Sequence, residues 1–437
     1  MATLARRPHR KPAVTSRSAV PPADILMLIP NLGMGGAQRV FRDHSRLLAE
    51  RYRVVDVAFN LDGGEQFASG NPLLSLDVEG GGGPLAKLRN FARRVAALRR
   101  IKRESGARLC ISHMPGADYV NLLSRGDERT IAVVHGSKQG DRGLSGLSGW
   151  LQNRILQPLL YRRADRVVTV SRAIATELGK LGTPDNRLSA INNFFDGDAI
   201  RAAARVPLTA DEQTLFDAAP VLATSGRLHP QKNHPALLEM FAELRRARPA
   251  RLLILGDGEL RDDLLARAEA LGLVTWAAWR DEQLRPGCDV YLLGARQNPF
   301  QWLTRATLFV FPSRWEGFPL ALCEAMICGL PVMSADCPTG PREILAPASD
   351  EPASPLDHAE DAQFGLLLPM LDDGPAGASS RRRWLGAISR LFDEADERRR
   401  LGQAGEARMA DFSRERIGAQ WFALVDEVLG SSPSSAS

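Results

Sequence analysis

The alternation of short apolar runs with amphipathic stretches is the feature that most limits what this chain can fold into. A β-like run at 25–29 is followed by a glycine-rich loop and a helix-like stretch to about residue 50. Similar strand-like runs recur at 52–59, 108–112, 130–134 and 166–170. Short apolar strands that alternate with amphipathic helices predict a parallel sheet covered by helices on both faces.

The alternation is interrupted between residues 192 and 220, where turn signals and prolines predict a domain junction. A second series of strand-like runs follows, at 221–225, 251–255, 289–293, 308–311, 331–334 and 365–368. We therefore expect an α/β protein with two doubly wound, Rossmann-like domains and a cleft that faces the carboxyl ends of their strands. Two further segments are typical of loops, 346–363 and 371–380.

Charge and cysteine content narrow the functional classes. The net charge of +5 equals that of residues 1–22, which hold five cations and no acid: Arg6, Arg7, Arg10, Lys11 and Arg17. The rest of the chain is near neutral, so nucleic-acid binding by the folded body is not expected. The tail is either solvated disorder or a segment attracted to anionic lipid.

The five cysteines form no CxxC pair, which favours a reduced compartment without a zinc site. No apolar run is long enough to span a membrane.

Two acidic residues flank one short loop-helix unit in the second domain, Glu316 and Glu324. A carboxylate can accept two hydroxyls of a ribose or hexose, so both acids could face a polyhydroxylated ligand. The segment just after the first acid is expected to begin a helix. Its backbone amides would then lie beside the phosphates of the ligand; the residues are Gly317, Phe318, Pro319 and Leu320. The alternative is a pair of exposed, solvated glutamates without a shared role.

Two cations, Arg227 and Lys232, lie in the connection after the first strand of the second domain. Cations at the carboxyl end of a strand can neutralise a pyrophosphate and stabilise it as it departs. A solvated basic loop without function is the other interpretation. In the same domain, Gly256 follows a strand and permits close approach of either a ligand or another backbone.

The first domain offers weaker candidates. Gly35 and Gly36 lie between a strand and a helix, where they either hold an anion or form a tight packing turn. They do not complete a dinucleotide-binding fingerprint, because Gln38 stands where its third glycine belongs. His135 follows a strand and either orients a sugar hydroxyl or serves a structural role. The helix-like stretch 85–103 is basic and amphipathic, which suits a solvated face or an anionic-membrane contact.

Several motifs in this order resemble those of the GT-B glycosyltransferases of the retaining family-4 type. They are GGAQR at 35–39, GRLHPQKN at 226–233, LGDGEL at 255–260, NPF at 298–300, PSRWEGFPLALCEAM at 312–326, CPTGPREIL at 337–345 and GLLLP at 365–369. The acid pair together with the basic loop carries most of the specificity.

The resemblance implies roles for single residues. Glu324 would bind the donor ribose, and Glu316 with the amides of Gly317 and Phe318 would contact the donor sugar. The diphosphate would lie against two cations of the second domain and two glycines of the first: Arg227, Lys232, Gly35 and Gly36. His135 would lie near the sugar, and the nucleobase near Gly294.

The resemblance also implies a domain plan and an activity. Residues 23–200 would form the acceptor-side domain, 201–412 the nucleotide-sugar domain and 413–430 a helix that crosses back, with disordered tails at 1–22 and 431–437. The implied activity is metal-independent transfer of a hexose or N-acetylhexosamine, with retention and without a cofactor. UDP is favoured over GDP as the donor nucleotide, and the acceptor would be a glycan or a polyprenyl-diphosphate-linked glycan.

The implied location is the cytoplasm or the inner face of the cytoplasmic membrane. Three other functions stay open: a nucleotide-sugar epimerase of GT-B fold, a non-catalytic glycan- or nucleotide-binding protein, and an oxidoreductase that uses the first glycine loop.

Overall fold

The computed structural model describes residues 19–33, 35–61, 70–78, 81–137, 156–349, 355–372, 374 and 377–430. The tail cations at 6–17 and the predicted tail at 431–437 lie outside the described residues. Within the described chain, no helix is long and apolar enough to cross a membrane.

The first sheet contains seven described strands in the order β3-β2-β1-β4-β5-β6-β7, and every pairing is parallel. The register places Ile25 opposite both Val54 and Leu109. Its strands are β1 (Ile25–Ile29), β2 (Val54–Ala58), β3 (Leu73–Ser75), β4 (Leu109–His113), β5 (Arg129–Val134), β6 (Arg166–Thr169) and β7 (Leu188–Ala190). The helices of this half are α1 (Gly36–Leu48), α2 (Pro84–Ser105), α3 (Pro115–Leu123), α4 (Gln157–Tyr161) and α5 (Arg172–Lys180).

The second sheet contains eight described strands in the order β10-β11-β9-β8-β12-β13-β15-β14. All pairings are parallel except β14 with β15, which is an antiparallel edge. Its strands are β8 (Val221–Ser225), β9 (Arg251–Leu255), β10 (Thr275–Ala277), β11 (Val290–Gly294), β12 (Leu308–Phe311), β13 (Val332–Ala335), β14 (Glu360–Ala362) and β15 (Gly365–Leu368).

Helices α6 (Gly197–Ala204) and α7 (Ala210–Asp217) join the two sheets. The helices of the second half are α8 (His234–Ala247), α9 (Arg261–Ala270), α10 (Phe300–Leu303), α11 (Leu320–Ile327), α12 (Pro341–Leu345), α13 (Ala378–Asp393), α14 (Ala395–Arg408) and α15 (Arg414–Gly430). Strands such as β1, β2 and β12 are buried along their whole length, as expected for a parallel sheet covered on both faces. The expected doubly wound α/β architecture with two sheets is confirmed.

Two segments were predicted with too little structure. The junction at 192–220 contains two helices whose starts are capped by side chains: Asp196 accepts from the amide of Ala199, and Thr209 forms a capping box with Glu212. A capped start satisfies amides that a short helix would leave unpaired, so these turns form despite the nearby proline. The predicted loop 346–363 ends in β14, which folds back onto β15 as a hairpin edge.

The last helix, α15, packs on the first domain. Ile417, Trp421 and Val425 recur every four residues, which places them on one buried stripe. They join the hydrophobic cluster that contains Ile25 and Leu109 of the first sheet. The chain therefore crosses between the domains twice. The two crossings also contact each other, since the amide of Phe195 donates to the carbonyl oxygen of Phe412 at 3.0 Å.

Candidate active site

The candidate site lies where the central strands of both sheets end. In the second sheet, β8 neighbours β9 on one side and β12 on the other, so the loops after β8 and β12 meet at the point where the winding changes direction. The first sheet has the same arrangement around β1, with β2 on one side and β4 on the other. Such switch points are where open α/β sheets bind ligands.

Lys232 and Glu316 form the centre of the site. The Lys232 Nζ lies 2.6 Å from the Glu316 Oε1, and both side chains are largely buried, at 17% and 7% exposure. The Lys232 ammonium also lies 4.9 Å from the centroid of the Phe311 ring at the end of β12. A buried carboxylate is stable as an ion only when it is paired, and the loop after β8 supplies that pairing cation.

The local fold fixes the position of Lys232. It ends a single 3₁₀ turn, Pro230–Lys232, and the next residue, Asn233, has a left-handed φ of 56°. The Asn233 side chain donates to the carbonyl oxygen of Leu371 at 2.6 Å and accepts from the Arg314 Nε at 3.0 Å. These bonds stabilise the unusual backbone and hold the lysine towards the loop after β12.

The main chain around Glu316 is held from both neighbouring loops. The Nε2 of the Gln231 side chain donates to the carbonyl oxygen of Trp315 at 2.7 Å. From the other side, the Thr339 hydroxyl donates to the carbonyl oxygen of Glu316. Thr339 is itself in a left-handed conformation, with φ of 62°. Glu316 is therefore a rigidly placed, buried acid and not the exposed residue of the alternative interpretation.

Gly317 is a point of close approach between the domains. A Cβ atom at this position would lie 1.8 Å from the carbonyl oxygen of His135, so only glycine allows the two loops to meet. Helix α11 begins at Leu320, and its Cδ1 lies 3.6 Å from where a Cβ on Gly36 would stand. The predicted row of amide donors needs one correction, because Pro319 precedes the helix and has no N–H group.

Glu324 is paired from the other domain. The Arg39 Nη1 of α1 donates to the Glu324 Oε1 of α11, and the Glu324 side chain is 7% exposed. Attraction to this carboxylate raises the pKa of Arg39. The second acid of the pair therefore receives its cation across the domain interface. Arg39 belongs to the GGAQR motif, but no role was predicted for it.

The remaining candidates of the second domain lie beside this centre. Arg227 pairs with Glu259 at 2.9 Å and its side chain is 65% exposed, so it does not contact Glu316 here. Gly256 packs against backbone: a Cβ there would lie 2.0 Å from the carbonyl oxygen of Gly226. Its amide donates to the carbonyl oxygen of Gly294 at 2.9 Å, which places these two glycines at adjoining strand ends.

In the first domain, Gly35 caps α1 with an extended backbone and Gly36 opens the helix. The preceding loop is held by Asn31, whose Oδ1 accepts from the Gly33 amide at 3.2 Å and from the Gln38 Nε2 at 3.0 Å. The residue that breaks the dinucleotide fingerprint thus stabilises the loop. The loop itself faces α11 of the other domain through Gly36.

His135 is part of a histidine cluster that the sequence did not reveal. Its Nε2 lies 2.9 Å from the Nδ1 of His113, and the His113 ring lies 5.4 Å from that of His44. Burial, with the neighbouring His135 and His44, holds the pKa of His113 well below its usual range. Burial also lowers the pKa of His44 to about 3. Both buried rings are therefore neutral at pH 7, and His113 holds His135 by a hydrogen bond.

The described residues contain no group of three or more His, Cys, Asp or Glu side chains arranged to hold a metal ion. The chemistry that the arrangement does offer is that of buried carboxylates for hydroxyl groups and a buried ammonium for an anion. The contacts of Arg39, Thr339, His113 and His44 were found only in the structure. Three of these residues carried a sequence signal: Arg39 and Thr339 belong to the GGAQR and CPTGPREIL motifs, and His113 was a weaker candidate because it follows a strand-like run.

Comparison with known proteins identifies the family of this chain. Residues 34–198 match the family model described as Glycosyltransferase Family 4, and residues 219–362 match the model described as Glycosyl transferases group 1. The two matches cover the two domains in turn. The chain therefore belongs to the family-4 glycosyltransferases and has their GT-B fold.

Individual relatives cover different shares of the chain. An uncharacterized glycosyltransferase of Methanocaldococcus jannaschii is 30% identical over 251 residues, which are 55% of this chain and 58% of that protein. The N-acetylgalactosamine-N,N′-diacetylbacillosaminyl-diphospho-undecaprenol 4-α-N-acetylgalactosaminyltransferase of Campylobacter jejuni is 23% identical over 354 residues, 79% of this chain and 90% of the relative. The crystal structure of Anabaena HepE in complex with UDP-glucose superposes with a TM-score of 0.70 at 19% identity, covering 93% of this chain and 100% of that one.

Proposed function

We propose that this protein transfers a hexose or N-acetylhexosamine from a nucleoside diphosphate sugar, UDP rather than GDP, to a glycan carried on a polyprenyl diphosphate. The reaction retains the anomeric configuration and needs no metal ion. The contact between Lys232 and Glu316 carries this proposal, because it places one buried cation and one buried acid at the switch point of the second sheet.

The ammonium of Lys232 can serve two partners. It has three N–H donors, and only one is needed for the Glu316 carboxylate at 2.6 Å. A departing diphosphate gains negative charge, and a cation held in place beforehand stabilises that charge without reorganisation. Glu316 is then free to accept a donor-sugar hydroxyl with its second oxygen. Arg227, exposed in this structure, would turn towards the outer phosphate oxygens.

The bond changes need no protein nucleophile. The bond between the anomeric carbon and the diphosphate oxygen breaks as the acceptor oxygen bonds to the same face of that carbon. The proton of the acceptor hydroxyl passes to the departing diphosphate. In this scheme His135 orients a sugar hydroxyl, with His113 holding its ring at 2.9 Å.

The names of the relatives support the donor and acceptor classes. The Campylobacter relative is named for an acceptor linked to diphospho-undecaprenol, and the Anabaena structure contains UDP-glucose. Both are consistent with a UDP-sugar donor and a lipid-linked acceptor for this chain.

A nucleotide-release assay with UDP- and GDP-linked hexoses and N-acetylhexosamines tests the donor, in the presence and absence of lipid-linked glycan and of EDTA. We expect acceptor-dependent release of UDP that EDTA does not reduce, and NMR of the product should show the donor's anomeric configuration. Epimerised donor without an acceptor would favour the epimerase. Binding without turnover would favour the non-catalytic alternative, and binding of NAD(H) alone the oxidoreductase.

A membrane contact accompanies the lipid-linked acceptor in this proposal. The first turns of α2 expose Leu85 at 84% and Leu88 at 66%, beside the exposed cations Lys87, Arg89 and Arg93. Apolar side chains among cations suit the surface of an anionic bilayer. Lys102, in the later part of α2, is buried and pairs with Glu128 at 2.7 Å, which corrects the assignment of this lysine to a solvated face.

Liposome flotation tests this contact. Leu85→Glu with Leu88→Glu should abolish binding to vesicles that contain phosphatidylglycerol, whereas Val274→Glu should not. Val274 is a matched control because it is also exposed, at 52%, but lies in the other domain. Equal flotation of the α2 variant and the wild type would contradict the proposed surface. Removal of residues 1–22 from the wild type and from the α2 variant measures how much the basic tail contributes to vesicle binding.

A further inference from the structure

Arg39 occupies a position that α1 itself does not favour. It lies in the first turn of the helix, which begins at Gly36 and has no acidic residue in that turn. The amino end of a helix carries partial positive charge, so a cation there is unfavourable for the helix. The local compensation is weak, because the Asp43 carboxylate lies 3.9 Å from the Arg39 Nε. The main partner of Arg39 is instead Glu324 of the second domain.

The contact leaves hydrogen-bonding capacity on both partners. The guanidinium reaches the Oε1 of Glu324, and a carboxylate has a second oxygen with free acceptor sites. The Arg39 side chain remains 28% exposed. A ribose diol can therefore bind the same carboxylate while the arginine holds it in place.

We propose that Arg39 is a positioning residue for the nucleoside half of the donor site: it orients the Glu324 carboxylate only when the domains are closed. Recognition of the ribose hydroxyls and domain closure are then coupled through one ion pair. This inference rests on the proposed function and on the role of Glu324 in accepting the ribose hydroxyls, which the family resemblance implies.

A second contact between the domains provides a matched control. The Glu343 carboxylate accepts from the Arg172 amide at 2.8 Å and from the Asn192 Nδ2 at 2.9 Å. It is also a glutamate of the second domain held by groups of the first, but it belongs to α12 and not to the acid pair. Its loss weakens contact between the domains without removing a group from the nucleoside site.

Calorimetry of UDP and of 2′,3′-dideoxy-UDP with the full-length protein tests the proposal. The wild type should bind UDP at least about tenfold more tightly than the dideoxy analogue, since hydrogen bonds to a charged group are involved. Arg39→Gln should weaken UDP binding by about tenfold but change binding of the analogue by less than about threefold. The ratio of the affinities for UDP and for the dideoxy analogue should therefore fall in Arg39→Gln to the ratio found for Glu324→Gln. The double variant Arg39→Gln with Glu324→Gln should show no further fall in this ratio.

Two further variants distinguish positioning from folding. Arg39→Lys keeps the charge but not the planar fork, and it should restore part of the discrimination. Glu343→Gln should keep the wild-type ratio of the two affinities. If Arg39→Gln binds UDP as tightly as the wild type with the discrimination unchanged, Arg39 is only an interface contact and the proposal is wrong. If wild-type protein binds neither UDP nor GDP, the proposed function itself fails, which is a separate result.

Discussion

The two glutamates of the acid pair differ in where their cations come from. Glu316 pairs with Lys232 of its own domain, through loops that follow adjacent strands. Glu324, in the helix that follows, pairs with Arg39 of the other domain. The first environment is built within one sheet, while the second is complete only when two domains meet. Glu316 is therefore suited to a step that needs fixed geometry, and Glu324 to sensing whether the cleft is closed.

The largest effect should come from breaking the first pair. Glu316→Gln removes the charge that pairs with Lys232 and replaces one of the two acceptor oxygens by an NH₂ donor, so kcat should fall by about 10³-fold. Transfer assays with the purified variant measure this, and Glu397→Gln is the control, since that acid pairs with Arg400 of its own helix α14 and has no proposed role in the site. Near wild-type turnover by Glu316→Gln would remove this residue from the catalytic site.

The second-largest effect on activity should come from blocking the close contact between the two domains at Gly317. Gly317→Ala places a Cβ 1.8 Å from the carbonyl oxygen of His135, so the loops must separate. We expect kcat/KM to fall by about 10²-fold, because a misplaced site loses oriented contacts. Gly386→Ala in α13 is the control, because its added Cβ has no atom within 4 Å apart from the backbone of its own helix and its chain neighbours. Similar activity of both variants would show that this close approach is not needed for transfer.

Removal of the charge on Glu324 should affect binding more than chemistry. Glu324→Gln should raise the donor KM by about tenfold with little change in kcat, because the ribose does not take part in bond breaking. Steady-state kinetics against donor concentration separates the two parameters. A fall in kcat as large as that of Glu316→Gln would mean that the two acids do not divide their roles.

The interior of the first domain should be more sensitive to acid than that of the second. The folded pKa of His44 is lowered to about 3, that of His113 is also lowered, and the second domain buries His234 with a pKa of about 3. Because each folded pKa lies below the unfolded value near 6.5, the unfolded state binds more protons. The contribution of these histidines to stability is therefore fully present above about pH 6.5 and is lost as the pH falls towards 3. Over this range each histidine lowers the folding constant by about tenfold per pH unit.

Denaturant unfolding monitored between pH 7 and pH 4 checks this expectation. His44→Phe should flatten the decline, because phenylalanine binds no proton. The substitution breaks no hydrogen bond, since among the described residues neither ring nitrogen of His44 has a partner. Hydrogen exchange resolved along the chain shows which domain opens first. An unchanged slope for this variant would mean that the pKa of His44 is not lowered in the folded protein.

The central strands of both sheets were predicted from the sequence, and the strands that were missed are the edges. These are β3 and β7 in the first sheet and β10 and β14 in the second. Each contains three residues, and β3, β7 and β14 are only partly buried. A short strand at a sheet edge has no long apolar run, so its composition does not differ from that of a loop.

Sequence alone determined the alternating α/β pattern, the two domains and the motif positions of Glu316, Glu324 and Lys232. These features depend on local periodicity and on residue type, which are written in the order of the chain. Tertiary structure alone decided that Arg39 reaches Glu324, that His113 holds His135 and that Gly317 touches the other domain. The Arg39 and Glu324 side chains are 285 residues apart in sequence. Contacts of this range arise from the packing of two whole domains, which no short segment encodes.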